Sequence, residues 1–146
     1  MSKKNIVFIV VLAALAALAG YLISEMPWYG RWGMSIFYKE YNFLKVWWKG
    51  AAVIYTVWLL IFAGHAIVKA KTSKASALAA NLISMIFSIG GLYFTYMDFQ
   101  HDTTHHIMGE NFHVGFYLFW LGWMGISLYF LGQKSSRQLI VSGKTA

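Results

Sequence analysis

The amino-acid sequence predicts an all-α protein with four helices of membrane-crossing length, and three observations carry that expectation. The chain's 146 residues are 59% apolar and 18% aromatic but only 12% charged, against the roughly 45–50% apolar content of soluble domains. The apolar residues gather into four runs nearly free of charge, at about 6–23, 47–68, 75–97 and 114–131. Each is close to the ~20 residues a helix needs to cross a bilayer. Cationic and anionic residues are sorted into different connections between those runs. No repeat or soluble linker interrupts the pattern, so residues 1–146 read as a single membrane domain.

The chain begins with a short basic stretch, Lys3 and Lys4, ahead of the uncharged run at 6–23. The small residues from Ala13 to Gly20 give this run some character of a signal peptide; it is read here as the first span. Residues 24–46 form a loop holding the only proline, Pro27, and an aromatic series: Trp28, Tyr29, Trp32, Phe37, Tyr38, Tyr41 and Phe43. Interspersed with Arg31, Lys39 and Lys45, these aromatics fit an interfacial, partly helical segment. The second span, 47–68, opens on Trp47, Trp48 and Lys49, contains His65, and ends in a turn marked by Lys69, Lys71 and Lys74. In the third span, 75–97, Asn81, Ser84 and Ser88 suit helix–helix contact, and Gly90 and Gly91 are expected to admit a neighbouring backbone. The fourth span, 114–131, interleaves Gly115, Gly122 and Gly125 with aromatics around much of its circumference. The tail from Gly132 onward is polar, basic and expected to be poorly ordered.

Cysteine is absent, which excludes disulfides, thiolate metal sites, iron–sulfur clusters and cysteine nucleophiles. A net charge of +7 would point to nucleic acid in a soluble protein, but here its distribution describes orientation, and no nucleic-acid partner is expected. Lys3, Lys4, Lys69, Lys71, Lys74, Lys134, Arg137 and Lys144 share their segments with no acid. All five acids fall in the other two connections and their flanks. The positive-inside rule then places both termini in the cytoplasm of a multi-pass cell-membrane protein, with loops 24–46 and 98–113 outside.

The chemistry-bearing residues are concentrated in the second of those loops. Four of the five histidines, His101, His105, His106 and His113, and three of the five acids, Asp98, Asp102 and Glu110, lie within residues 97–113. If the third helix runs past Met97, Asp98, Asp102 and His105 share one face with His101 beside them, and Asp102 and His106 form an i, i+4 pair on the next. Imidazole and carboxylate at that spacing can chelate one ion, and the donor mix suits copper, with zinc or iron also accommodated. A haem held by two histidines needs both at one depth on facing helices. His65 lies near the cytoplasmic lysines while the other four lie at the opposite surface, most of a ~30 Å core away, so His65 is expected to pack structurally against a neighbouring carbonyl.

Two family resemblances bear on the cluster. His101-Asp102-Thr103-Thr104-His105-His106 resembles one histidine box of the membrane fatty-acid desaturases and hydroxylases. Those di-iron enzymes require several boxes, and this chain has one, on the outer side. The wider resemblance is to the C subunit of the particulate methane and ammonia monooxygenases. Asp102-Thr103-Thr104-His105-His106 matches that subunit's Asp-x-Thr-x-His pattern, which follows a span and precedes a further His at the entry of the next. Gly33-Met34, Glu40-Tyr41 and Val46-Trp47 also look like its outer segment, so the likeness covers roughly residues 33–131. Six residues separate His106 from His113, about half the family's gap, and the family's Arg-Asp-x-x-Phe-Thr-Pro stretch is missing, as in a shortened or accessory relative.

That resemblance implies a subunit of a copper-dependent membrane monooxygenase oxidising a small molecule, active only within a complex of membrane subunits. Asp102, His106 and His113 would hold the metal, and His101 and His105 would support it or form a second site. The alternative of another class is a non-catalytic structural or accessory subunit whose aromatic outer loops dock a partner.

Overall fold

The structure, a computed structural model, describes residues 2–37, 39–101 and 109–133. Asp102, His105 and His106, and the basic tail from residue 134, lie outside the described residues. The described chain is all-helical. Helix α1 (Lys3–Ser24), α3 (Trp47–Lys71), α4 (Lys74–His101) and α5 (Glu110–Gly132) are each long and apolar enough to cross a membrane. Between α1 and α3 lie a short helix α2 (Trp28–Phe37) and a 3₁₀ segment (Lys39–Lys45).

The turn out of α1 is built on Pro27, whose carbonyl accepts the Arg31 N–H at 3.0 Å to start α2. Proline suits a helix start because its missing N–H would be unpaired there anyway. The Arg31 guanidinium reaches back to the Ser24 carbonyl at 2.9 Å, placing a cation on the negative end of α1. Gly30 and Met34, one turn apart, face inward, while Trp28 and Trp32 are 79% and 66% exposed. Gly109 launches α5 from a backbone angle φ of 85°, a conformation glycine adopts at little cost.

Helix α1 packs along both α3 and α5, and α4 leans on α5 and more lightly on α3. Only 11% of the residues in the apolar stretch of α4 are buried, against 28% in each of the others; α4 is the peripheral helix. The core runs through Leu12, Ala16, Ala19 and Ile23 of α1, Ile54, Trp58 and Phe62 of α3, and Ile126 and Phe130 of α5. Trp58 is fully buried, and its indole N–H donates to the Phe119 carbonyl at 3.1 Å. The outward faces are as apolar as the core: Val7, Leu60, Ile86 and Phe94 are each 63–73% exposed.

Glycines decide where the helices come close, in part differently from the sequence expectation. Gly20 meets the α3 backbone at Trp47 and Ala51, and Gly122 receives the Trp58 ring. Gly91, expected to face a backbone, is instead covered by the indole of Trp120, and Gly90 has no neighbour within 4 Å of a β-carbon position. The bulky α5 aromatics fill the space against α4, so these helices meet through side chains.

Candidate functional site

The helix ends that border the histidine cluster meet at one end of the bundle. Helix α4 continues past the predicted end of its span to His101, so the connection to α5 is shorter than the loop 98–113 read from sequence. Phe99 is buried near that end, and the His113 ring stacks on it with centroids 4.3 Å apart and planes 20° from parallel. Phe112, Phe116 and Tyr117 complete an aromatic collar around Phe99. The third predicted ligand is thereby held beside the end of α4 that leads into Asp102.

His101 is exposed, and its Nδ1 lies 2.9 Å from the Met97 carbonyl one turn earlier. A carbonyl only accepts, so Nδ1 carries the proton and, in the neutral ring, Nε2 keeps its lone pair. Metal-bound histidines are commonly oriented by such a carbonyl. Among the described residues no three His, Asp or Glu side chains converge to hold an ion. Of the five predicted site residues the described structure places His101 and His113; the others fall in the connection between them. A cleft of about 510 Å³ opens nearby, lined by Glu25, Pro27, Arg31, Gly109 and Glu110, which gathers two of the acids of this end and Arg31.

His65 sits elsewhere. It lies 18 residues along α3 from Trp47, about 27 Å at 1.5 Å per residue. Its Nε2 lies 3.1 Å from the Ser84 hydroxyl, where the sequence led us to expect a carbonyl partner. Ser84 also receives the Trp123 indole N–H at 2.8 Å and the Ser127 hydroxyl at 3.1 Å. An indole N–H can only donate, so Ser84 accepts twice and has its own proton left for His65 Nε2. Protonated on Nε2, the ring would present a third donor to an oxygen with two lone pairs. With Ser127 donating to Ser84 rather than to the Trp123 carbonyl 3.5 Å away, the ring is neutral and protonated on Nδ1.

The node joins α3, α4 and α5 through one hydroxyl, and sequence could flag its members as polar positions but not their meeting. One turn away, the Oδ1 of buried Asn81 has no hydrogen-bond partner among the described residues. Replacing His65 with leucine is expected to leave the Ser84 proton without an acceptor and to cost roughly 1–3 kcal/mol. Glutamine, whose side-chain oxygen can accept, should recover part of that; equal stability of all three proteins in detergent unfolding would show that the node is energetically idle.

At the opposite end of the bundle from the cluster, Lys69 donates to the Gln133 side-chain oxygen at 2.6 Å, and Gln133 and Tyr129 both donate to Asn5 Oδ1, at 3.3 and 2.7 Å. The starts of α1 and α4 and the ends of α3 and α5 therefore share one end, which carries Lys3, Lys4, Lys69, Lys71 and Lys74. Comparison with protein-family models, with curated proteins and with solved structures found no match to this chain.

Proposed function

We propose that the chain is a multi-pass membrane protein with its lysine-rich end in the cytoplasm. We further propose that it serves as a subunit of a copper-dependent membrane monooxygenase acting on a small molecule. In this reading Asp102, His106 and His113 hold the metal on the outer face, with His101 and His105 alongside. The observation that carries it is the Phe99–His113 stack. It ties the first turn of α5 to the last turns of α4, so a ligand entering from each helix can reach one ion. The exposed apolar faces of the four long helices support the membrane placement, and the segregation of lysines from acids supports the orientation.

The donor set is imidazole and carboxylate without thiolate, which fits copper and also accommodates zinc or iron. The described residues supply no converging trio by themselves, so the reading requires Asp102 and His106 to complete the site. Copper bound there would supply the activation of O₂. The chain's own contribution is to orient His113 by stacking and His101 by its Met97 hydrogen bond, and to leave coordination positions open.

Metal analysis of the chain purified within its native complex tests this. Asp102→Ala and His106→Ala should each abolish bound metal, whereas His101→Ala and His105→Ala should weaken it by the roughly 10–100-fold typical of supporting residues. For His113 the informative variant is phenylalanine, which keeps the ring on Phe99 while removing the ligand nitrogens; it should lose metal. Full metal content in all three ligand variants, or none in the wild-type complex, overturns the proposal. A second reading, an accessory subunit that docks a partner, then takes its place. It is favoured by the outward Trp28 and Trp32 of α2, together with Trp47 and Trp48 at 53% and 55% exposure.

A further inference from the structure

We infer that the groove between α1 and α5 binds one anionic phospholipid of the leaflet at the lysine-rich end. The inference rests on the membrane placement proposed above and is independent of the metal. Two cavities adjoin along these helices and share Phe8 and Val11. The first, a shallow concavity of about 440 Å³ with almost wholly apolar walls, is bordered by Lys3, Lys4, Val7 and Tyr129 at the mouth of the bundle. The second, about 210 Å³, continues inward between Leu12 and Leu15 of α1 and Leu118, Leu121 and Gly125 of α5. It is the more enclosed of the two, and its wall at Gly125 is bare: among the described residues a β-carbon there would have no neighbour within 4 Å.

Charge and length identify the occupant. Lys3 and Lys4 are exposed at the start of α1, whose first turn contains no acid. Two cations at the positive end of a helix are unfavourable for the helix alone, and an anion placed between them relieves both terms. From Lys3 to Leu15 the groove follows 12 residues of α1, about 18 Å. That is close to the ~15 Å depth of one leaflet's hydrocarbon, half of the ~30 Å core. A phosphate at the exposed lysines with an acyl chain lying past Phe8 to Gly125 matches the charge at the start of α1 and the apolar groove below it together, as basic residues beside membrane helices do for anionic head groups.

The test is native mass spectrometry of the purified full chain titrated with phosphatidylglycerol or phosphatidylcholine, after membranes carrying it have been washed with alkaline carbonate. The wild type should retain one phosphatidylglycerol with roughly tenfold or greater preference, the scale that two lysines supply at a membrane surface. Lys3→Gln with Lys4→Gln should reduce that preference to near unity while phosphatidylcholine retention stays the same. Gly125→Leu grows a side chain into open space and should displace both lipids while the protein remains folded. No preference in the wild type, preference surviving in the double lysine variant, or unchanged retention in Gly125→Leu each overturns the lipid site. Release of the chain by carbonate overturns the membrane placement itself, and the lipid site with it.

Discussion

Trp58→Ala is expected to cost about 3 kcal/mol or more of folding stability, the lower part of the range for emptying a buried tryptophan site. The position within the range follows from the surroundings. In the bilayer setting proposed above, hydrocarbon would compete on equal terms for apolar surface, so the transfer contribution would shrink and lost packing would dominate. Trp58 has much packing to lose. It is fully buried, stacks near Phe119, donates to the Phe119 carbonyl and fills the space left by Gly122. The fit is mutual: a β-carbon at Gly122 would lie 2.6 Å from Trp58 Cη2. Gly122→Ala should therefore destabilise the wild type but be well tolerated beside Trp58→Ala, where the ring is gone. A double-mutant cycle by unfolding in mixed micelles should give a coupling within the 0.5–3 kcal/mol seen for touching residues. Additive effects would mean that ring and glycine do not meet.

Gly20→Ala is expected to destabilise by about 1–3 kcal/mol even though alanine is the better helix former. Two effects oppose each other there. Alanine in place of glycine raises helix propensity by up to ~1 kcal/mol. The new β-carbon, however, would lie 2.6 Å from the Trp47 carbonyl oxygen and 2.7 Å from the Ala51 Cα. Backbone atoms cannot rotate aside, so α1 and α3 must separate and the α1–α3 contact loosens along its length. Gly64→Ala is the matched control, because Gly64 lies in α3 with nothing within 4 Å of a β-carbon. It should be neutral or slightly stabilising. Equal effects at the two positions, read from thermal unfolding in detergent, would remove the close crossing from the account.

Element lengths, the polarity of the bundle ends and the nearness of His101 and His113 to one of those ends were legible from the residues alone. Each is a local property. An uncharged run of about 20 residues reads as a spanning helix wherever it packs, and lysines and acids keep their order along the chain. The predicted runs at 6–23, 47–68, 75–97 and 114–131 each lie inside an observed helix. The one systematic difference is that the helices extend into the flanking polar residues, α4 as far as His101 and α5 from Glu110. Helix propensity and backbone hydrogen bonding do not stop where hydrophobicity does.

Facing directions were a different matter. Apolar residues encircle three of the long helices almost evenly, so an outward face looks like an inward face meant for a neighbour. Periodicity thus says nothing about which side packs. Only the packed bundle decides that α4 is peripheral, that Gly20 and Gly122 are close contacts while Gly64 and Gly125 face open space, and that Ser84 is where His65, Trp123 and Ser127 meet. The same holds at the candidate site. The sequence named His101 and His113 by type and spacing; the stack on Phe99 and the bond to the Met97 carbonyl depend on how α4 and α5 are rotated against each other, and only tertiary packing sets that rotation.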